Sequence, residues 1–247
     1  MMRSYGPLAA WYDRLTGDVP YAGFLAFYES VFAQREKSVH TVLDLACGTG
    51  TLTCLLAERG YEMIAVDGSP EMLSVAAEKA QEIACAIPPM FLCQDLAELD
   101  LYGTVECAVS SLDSFNYLPP EILPELFHRL HLFIEPGGLL VFDINSPERL
   151  RSLDGQAFVD ETEDLLCLWR AELDEEEGLL FYGMDLFTRQ ENGLWAREEE
   201  EHFEYIHEPA LLQQWLEQAG FCNITIRQDG PQCELGRLFL IAENRKD

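Results

Sequence analysis

The spacing of apolar residues divides the chain into distinct regimes. Over residues 1–38 it is helical. Gly23 to Gln34 carries Phe24, Phe27, Tyr28, Val31 and Phe32 at intervals of one face of a helix. An aromatic group, Tyr5, Trp11, Tyr12 and Tyr21, lies upstream. From Val39 short apolar runs alternate with helical stretches. Val39–Ala46 reads as a buried strand, Gly48-Thr-Gly50 as a turn, and Thr51–Arg59 as a helix that Gly60 ends. Glu62–Val66 reads as a second strand and runs into Asp67. Ser69 caps a helix with Pro70 in its first position, extending to about Gln81. Met90–Cys93 and Val105–Ser110 read as strands, Pro119–Phe133 as a helix, and Leu139–Ile144 as a strand after Gly137-Gly138. Strands alternating with helices predict a mostly parallel sheet covered on both faces.

The alternation stops near Pro147. Three segments of period two follow. Leu165, Cys167, Trp169, Ala171 and Leu173 share one face of the first, and Leu180, Tyr182, Met184 and Leu186 share one face of the second. The third, Trp195 to Ile206, is charged, with Glu198–Glu201 in a row. Gly178 and Asn192-Gly193 fall where hairpin turns are needed. Residues 156–206 thus predict an antiparallel sheet inserted into the main fold. The chain then returns to α/β order, with a helix over Pro209–Ala219 stopped by Gly220 and strands at Phe221–Arg227 and Arg237–Ala242. Only Gln228 to Gly236 join these two strands. That is too short for a helical crossover, so this last pair must be antiparallel. The expected organisation is an N-terminal helical lid segment over 1–38, a ligand-binding α/β domain over 39–147 and 207–247, and the inserted sheet over 148–206 as substrate lid or dimer contact.

Charge narrows the choice of partners. The 247 residues carry 44 acids and 16 Lys plus Arg, a net charge of −28. Phosphate backbones and anionic membrane surfaces are bound by basic patches, so this balance speaks against nucleic acid and membrane partners and favours a small molecule. Residues 148–208 hold half the net charge, which places a solvated acidic face on the inserted sheet. No run of 18 apolar residues exists, and the N-terminus lacks the apolar core of a signal peptide. The eight cysteines form no C-x-x-C pair and lie mostly in apolar runs. They read as thiols in a reducing cytoplasm, with no metal framework.

The chemistry concentrates in Val42-Leu-Asp44-Leu-Ala46-Cys47-Gly48-Thr-Gly50-Thr. A strand enters a glycine turn and a helix starts at once. The glycines allow close approach of a ligand, and the helix start offers free N–H groups. Asp67 ends the next strand, where a carboxylate can hold two ribose hydroxyls. A P-loop needs Lys after the glycines and none is present. A dinucleotide fingerprint needs a third glycine where Thr53 stands, which weakens an NAD(P)-dependent oxidoreductase as the alternative. Asp44 beside the turn repels pyrophosphate but suits a ligand with an ammonium group, a ribose diol and no phosphate, as S-adenosylmethionine has.

Val42–Leu118 resembles the class I S-adenosylmethionine-dependent methyltransferases. D-L-A-C-G-T-G is similar to the family's first motif, with Ala46 where glycine is common. A-V-D-G-S-P-E-M-L, containing Asp67, is similar to the motif of the second strand, and C-Q-D-L at Cys93–Leu96 to the motif at the adenine edge. Tyr12-Asp13-x-Leu15 with Asp18-Val-Pro-Tyr21 resembles the YqeM-like group of bacterial small methyltransferases. Glu200-Glu201-His202 matches the start of that group's E-E-H-x-x-R-x-Y element, with Tyr205 in place of its arginine and His207 in place of its tyrosine.

The resemblance implies a Rossmann-like, mostly parallel seven-stranded sheet with helices on both faces and a terminal antiparallel hairpin. It implies S-adenosyl-L-methionine as cofactor and in-line methyl transfer. Asp67 would hold the ribose and Met72 would lie near the adenine. Asp95 would accept from the adenine amino group and Leu96 would meet the ring. Ala46, Cys47, Gly48, Gly50, Gly68, Gln94, Ser111 and Leu112 complete the implied cofactor surface, with Tyr5, Tyr12 or Tyr21 closing over it. In an open α/β sheet the loops at the carboxyl ends of the strands face the ligand. Asp113 is therefore a candidate catalytic residue, with Asn116, Asp143 and Asn145 as candidate substrate contacts. His202 is a candidate general base, needed only for an acceptor that arrives protonated. Trp169, Tyr182 and Met184 are candidates to wall the acceptor pocket, and the inserted sheet could pair two subunits. A non-catalytic module that binds the cofactor or its demethylated product remains the second alternative.

Overall fold

A computed structural model describes residues 7–35 and 37–245. Tyr5 lies outside the described residues. A 3-10 turn at Pro7–Ala10 leads into a short helix α1 (Tyr12–Leu15) and then α2 (Tyr21–Phe32). The main sheet takes β1 (Thr41–Leu45), β2 (Glu62–Asp67), β3 (Met90–Cys93), β4 (Val105–Ser110) and β5 (Ile134–Asn145) from the first half of the chain. The helices α3 (Thr51–Glu58), α4 (Pro70–Ala80) and α5 (Leu123–Phe133) connect them, and α6 (Pro147–Ser152) follows β5. Four strands, β6 (Ala157–Glu161), β7 (Leu165–Asp174), β8 (Leu179–Arg189) and β9 (Trp195–Tyr205), form a separate antiparallel sheet. Then α7 (Pro209–Ala219) leads to β10 (Phe221–Arg227) and β11 (Arg237–Asn244), which rejoin the main sheet.

The main sheet runs in the order β10-β11-β5-β4-β1-β2-β3. β1 to β5 are mutually parallel, and β11 runs antiparallel to both β5 and β10, as the short final connection requires. Each face is covered. Leu126, Phe127 and Leu130 of α5 and Leu212 and Leu216 of α7 pack on one side. Phe24, Tyr28 and Val31 of α2 and Leu52 and Leu56 of α3 pack on the other. Val42 to Leu45 of β1 are buried between the layers, which is why this strand reads as one continuous apolar run apart from Asp44.

The chain departs from its sequence pattern in four places. The N-terminal segment is not one helix, because Pro20 and the turn at Thr16–Val19 separate α1 from α2. α5 begins at Leu123, four residues after the expected start, because Pro119-Pro120 form a turn first. β5 begins at Ile134 and runs through Gly137-Gly138, where an added Cβ on Gly138 would meet the Glu106 carbonyl at 2.6 Å. The inserted sheet has a fourth strand, β6, whose five residues are all exposed and so carry no alternating burial signal.

Candidate active site

The first motif folds as a strand, a left-handed turn and a helix. Ala46, Gly48 and Gly50 all have positive φ, at 54°, 55° and 70°. Ala46 therefore holds a conformation that glycine adopts without strain, which accounts for glycine being common at this position of the motif. Gly50 has a second constraint, since a Cβ there would lie 2.9 Å from the Cβ of Ala76 on α4. A Cβ on Gly48 would meet nothing within 4 Å, so this turn opens onto a crevice at the carboxyl edge of the sheet.

Two carboxylates flank the turn. Asp44 on β1 is 3 % exposed and accepts a hydrogen bond from the Thr53 hydroxyl on α3. Thr53 thus occupies the third-glycine position of a dinucleotide motif for a reason of its own. Burial pushes the Asp44 carboxyl up to about 7, opposed by the Thr53 bond. Asp67 ends β2 and accepts from the N–H of Gly48 and of Ser69, each at 2.8 Å. Burial raises its pKa while these backbone donors oppose the rise. Beyond Asp67, the Ser69 hydroxyl caps α4 by accepting from the Met72 N–H at 3.2 Å, and the Met72 side chain is buried. Asp95 caps a single 3-10 turn by accepting from the Ala97 N–H at 2.9 Å, with Leu96 buried behind it. The Gln94 side chain bridges to the Asp100 backbone in both directions. Gly68, Asp67 and Gln94 adjoin, since the Gln94 N–H donates to the Asp67 carbonyl at 3.1 Å.

At the end of β4 the chain makes a second left-handed turn without glycine. Leu112 and Asp113 have φ of 59° and 55°. Both of their N–H groups donate to the Asp143 carboxylate, at 3.0 and 2.7 Å. Successive amides in such a turn form a cradle for an anion, and here the anion is a side chain of β5. Arg237, the first residue of β11, then donates to Asp143 and, at 2.8 Å, to Asp113. Beneath this turn the Tyr28 hydroxyl meets the Ser111 hydroxyl at 2.6 Å.

The inserted sheet lies against this edge. Its residue Glu204 is 4 % exposed and accepts from the Asn145 amide at 3.1 Å. Burial raises the Glu204 pKa well above the carboxyl range, and the charge of Asp113 adds to the shift. Tyr182 is buried in the same region, with its ring edge-on to Trp169 at 6.3 Å. Two of the expected substrate contacts take a different role. Asn116 is fully buried and spends its amide on the backbone, donating to the Tyr205 carbonyl at 2.9 Å and accepting from the Asn145 N–H at 2.9 Å. Asp143 is fully buried and holds the Leu112-Asp113 turn. Both side chains are thus committed to partners within the chain. His202 is 1 % exposed, its Nε2 lies 3.1 Å from a Glu200 oxygen, and its ring packs beside Trp169 and Tyr117. The ring is thus enclosed within the packing of the inserted sheet.

Tyr12 lies on α1 across the crevice, where burial and the neighbouring charges of Asp113 and Asp67 raise its pKa. The Tyr21 hydroxyl lies 3.3 Å from the Thr16 hydroxyl oxygen, at the near end of the same segment. His207 is buried on the Phe115 carbonyl at 3.0 Å, so its place in the tail element is structural. The sequence reading missed Arg237 and Glu204. Arg237 had a signal, a charged residue ahead of the apolar run Leu238–Leu240, whereas Glu204 follows a run of acids and is marked only by its two-residue spacing from His202 on one face of β9.

Residues 42–138 match the methyltransferase domain family. YqeM of Bacillus subtilis (strain 168), whose name gives methyltransferase as a provisional assignment, is 29 % identical over 98 % of this chain and 98 % of its own length. A crystal structure of an S-adenosylmethionine-dependent methyltransferase from Clostridium acetobutylicum ATCC 824 is 25 % identical with a TM-score of 0.83, covering 98 % of this chain and 99 % of that one. The chain is a class I S-adenosylmethionine-dependent methyltransferase. The sugar N-methyltransferase KedS8 from Streptoalloteichus sp ATCC 53650 shares the fold at 19 % identity, with a TM-score of 0.81 over 100 % of this chain and 95 % of that one.

The crevice of this methyltransferase fits its cofactor. The turn is open at Gly48, the carboxylates of Asp44 and Asp67 border it, and Gly48 and Thr49 themselves carry no cation. That donor and acceptor set suits a ligand with an ammonium group and a ribose diol. No finding supports the oxidoreductase or the non-catalytic alternatives.

Proposed function

We propose that this methyltransferase transfers the methyl group to the nitrogen of a small amine held beneath the inserted sheet. The observation that carries the reading is the placement of Asp113 and the buried Glu204 together at the carboxyl edge of β4 and β5. Bound S-adenosylmethionine supplies a methyl group on a sulfonium, which already has a good leaving group. What remains for the protein is alignment, water exclusion and management of the acceptor's proton. An alkylamine arrives as an ammonium ion. The carboxylate of Asp113 attracts it, and loss of its proton to a carboxylate frees the lone pair. The nitrogen–methyl bond forms as the sulfur–methyl bond breaks, and the sulfur keeps the electron pair.

In this reading Asp44, Gly48, Asp67, Met72, Asp95 and Leu96 hold the cofactor. Tyr12 covers it, and Trp169 and Tyr182 wall the acceptor. Residues 7–32 and the inserted sheet form the lid over the α/β domain. The net charge of −28 supports a small acceptor over nucleic acid, and the fold shared with a sugar N-methyltransferase is consistent with one. The eight cysteines are free thiols, which supports a reducing cytoplasm. No helix among the described residues is long and apolar enough to cross a membrane. The exposed Phe158, Trp195 and Phe203 on the inserted sheet support a contact between two copies, which sedimentation velocity tests; a monomer at all concentrations contradicts it.

The acceptor is tested by incubating the enzyme with S-adenosylmethionine and separate panels of small amines, small alcohols and RNA, and measuring release of S-adenosylhomocysteine. Turnover confined to amines is expected. Turnover only on alcohols or RNA overturns the proposal.

A further inference from the structure

The N-terminal segment crosses the crevice and is anchored at both ends. At one end the Leu8 N–H donates to a Glu200 oxygen at 2.8 Å, and Leu8, Trp11 and Leu15 pack on Leu165, Cys167, Met184 and Leu186 of the inserted sheet. At the other end the Asp13 carboxylate meets the glycine turn. Asp13 accepts from the Thr49 hydroxyl at 2.6 Å and from the Thr51 hydroxyl at 3.4 Å. Its second oxygen pairs with Lys79 of α4 at 2.7 Å, and Lys79 itself donates to the Thr51 hydroxyl at 2.6 Å and to the Thr49 hydroxyl at 3.2 Å. One carboxylate and one ammonium thus tie three elements together: α1, the turn before α3, and the last turn of α4.

We infer that Asp13 and Lys79 are positioning residues of the cofactor site, which pin α1, and with it Tyr12, over the glycine turn and so set the rate at which cofactor and product exchange. Three features support this. Tyr12 immediately precedes Asp13 and lies among Tyr21, Asp67 and Asp113, so any movement of Asp13 moves the residue that covers the crevice. The pair is partly exposed, with 23 % of the Lys79 and 42 % of the Asp13 side chain accessible, so it can open without unfolding the domain. Both threonine hydroxyls can donate and accept, so they can serve the pair with the two charges exchanged.

The test uses S-adenosylhomocysteine as probe. Its dissociation is followed by stopped-flow tryptophan fluorescence, with affinity from calorimetry, in the wild type, Asp13→Asn, Lys79→Met, the double variant and the reversed pair Asp13→Lys/Lys79→Asp. Each single change is expected to raise the dissociation rate about five-fold, the upper range for a partly exposed ion pair. The double variant should be no faster than either single one, and the reversed pair should return toward wild type. High salt should speed release from the wild type and not from the single variants. A second readout needs no ligand. Amide exchange over residues 11–16 should accelerate in Asp13→Asn, while exchange in β1 and β4 stays unchanged. Wild-type dissociation rates in correctly folded single variants, effects that multiply in the double variant, or unchanged exchange over 11–16 would each overturn the inference.

Discussion

Replacement of Asp44 by asparagine separates the cost of the binding crevice from its use. Asp44 is 3 % exposed, and burial holds its pKa at about 7 against an ordinary value of 3.8. For an acid raised on folding, the native state keeps the proton over the interval in which the unfolded chain has lost it. Stability is then greatest below the unfolded pKa and falls as pH rises toward the folded one. The slope is about 1.4 kcal/mol per pH unit, so the interval from 3.8 to about 7 amounts to about 4 kcal/mol. In Asp44→Asn the side-chain amide oxygen still accepts from Thr53, and the group never ionises. The assay is urea unfolding of both proteins from pH 4 to pH 8, compared as the difference between them. Asp67, Asp143 and Glu204, which are also raised on folding, tilt both curves alike and cancel in that difference. The wild type should lose about 4 kcal/mol relative to the variant across this range and then run level with it. The gain in the variant should come with about ten- to hundred-fold weaker binding of S-adenosylhomocysteine, the range for a lost hydrogen bond to a charged group. A difference that does not vary with pH would mean that Asp44 is ionised throughout, and the argument from burial would fail.

Other substitutions test separate parts of the site. Asp67→Ala should weaken binding of S-adenosylmethionine by roughly 1–3 kcal/mol in calorimetry, with the fold retained in circular dichroism. Gly50→Ala places a Cβ 2.9 Å from that of Ala76 at a φ of 70°, and thermal unfolding should show a loss of about 1–3 kcal/mol. Ala46→Gly, at a φ of 54°, should instead leave stability unchanged or improve it by up to about 1 kcal/mol. Asp143→Ala removes the acceptor of two turn amides and one partner of the buried Arg237, so the loss in urea should be about 3–5 kcal/mol, with Asp143→Asn losing less.

The sequence carries the main sheet clearly because its strands are short, apolar and separated by glycine turns and capped helices. Each of those is a local signal. The reversed terminal strand was legible for a different reason, since the residues between Arg227 and Arg237 cannot span a crossover. What stayed hidden depends on distant partners. Nothing local in Ser111-Leu-Asp-Ser calls for two left-handed residues; that turn exists because Asp143 receives both amides and Arg237 closes behind it. The same holds for Asn116, whose type suggested a substrate contact while its partners are the backbone of Tyr205 and Asn145. β6 left no trace because all five of its residues are exposed. Candidate cofactor residues were legible because the ligand's own chemistry constrains them at fixed intervals. The proposed acceptor residues on the inserted sheet lie in strands where charged and apolar residues alternate, a pattern that packing alone also produces.

Calorimetric titration of the enzyme with S-adenosylmethionine, S-adenosylhomocysteine and NADH tests the central claim most directly. The crevice around Gly48, bordered by Asp44 and Asp67, should bind the first two at one saturable site per chain and leave NADH without measurable heat. Saturable binding of NADH, with neither sulfur ligand bound, would contradict the account.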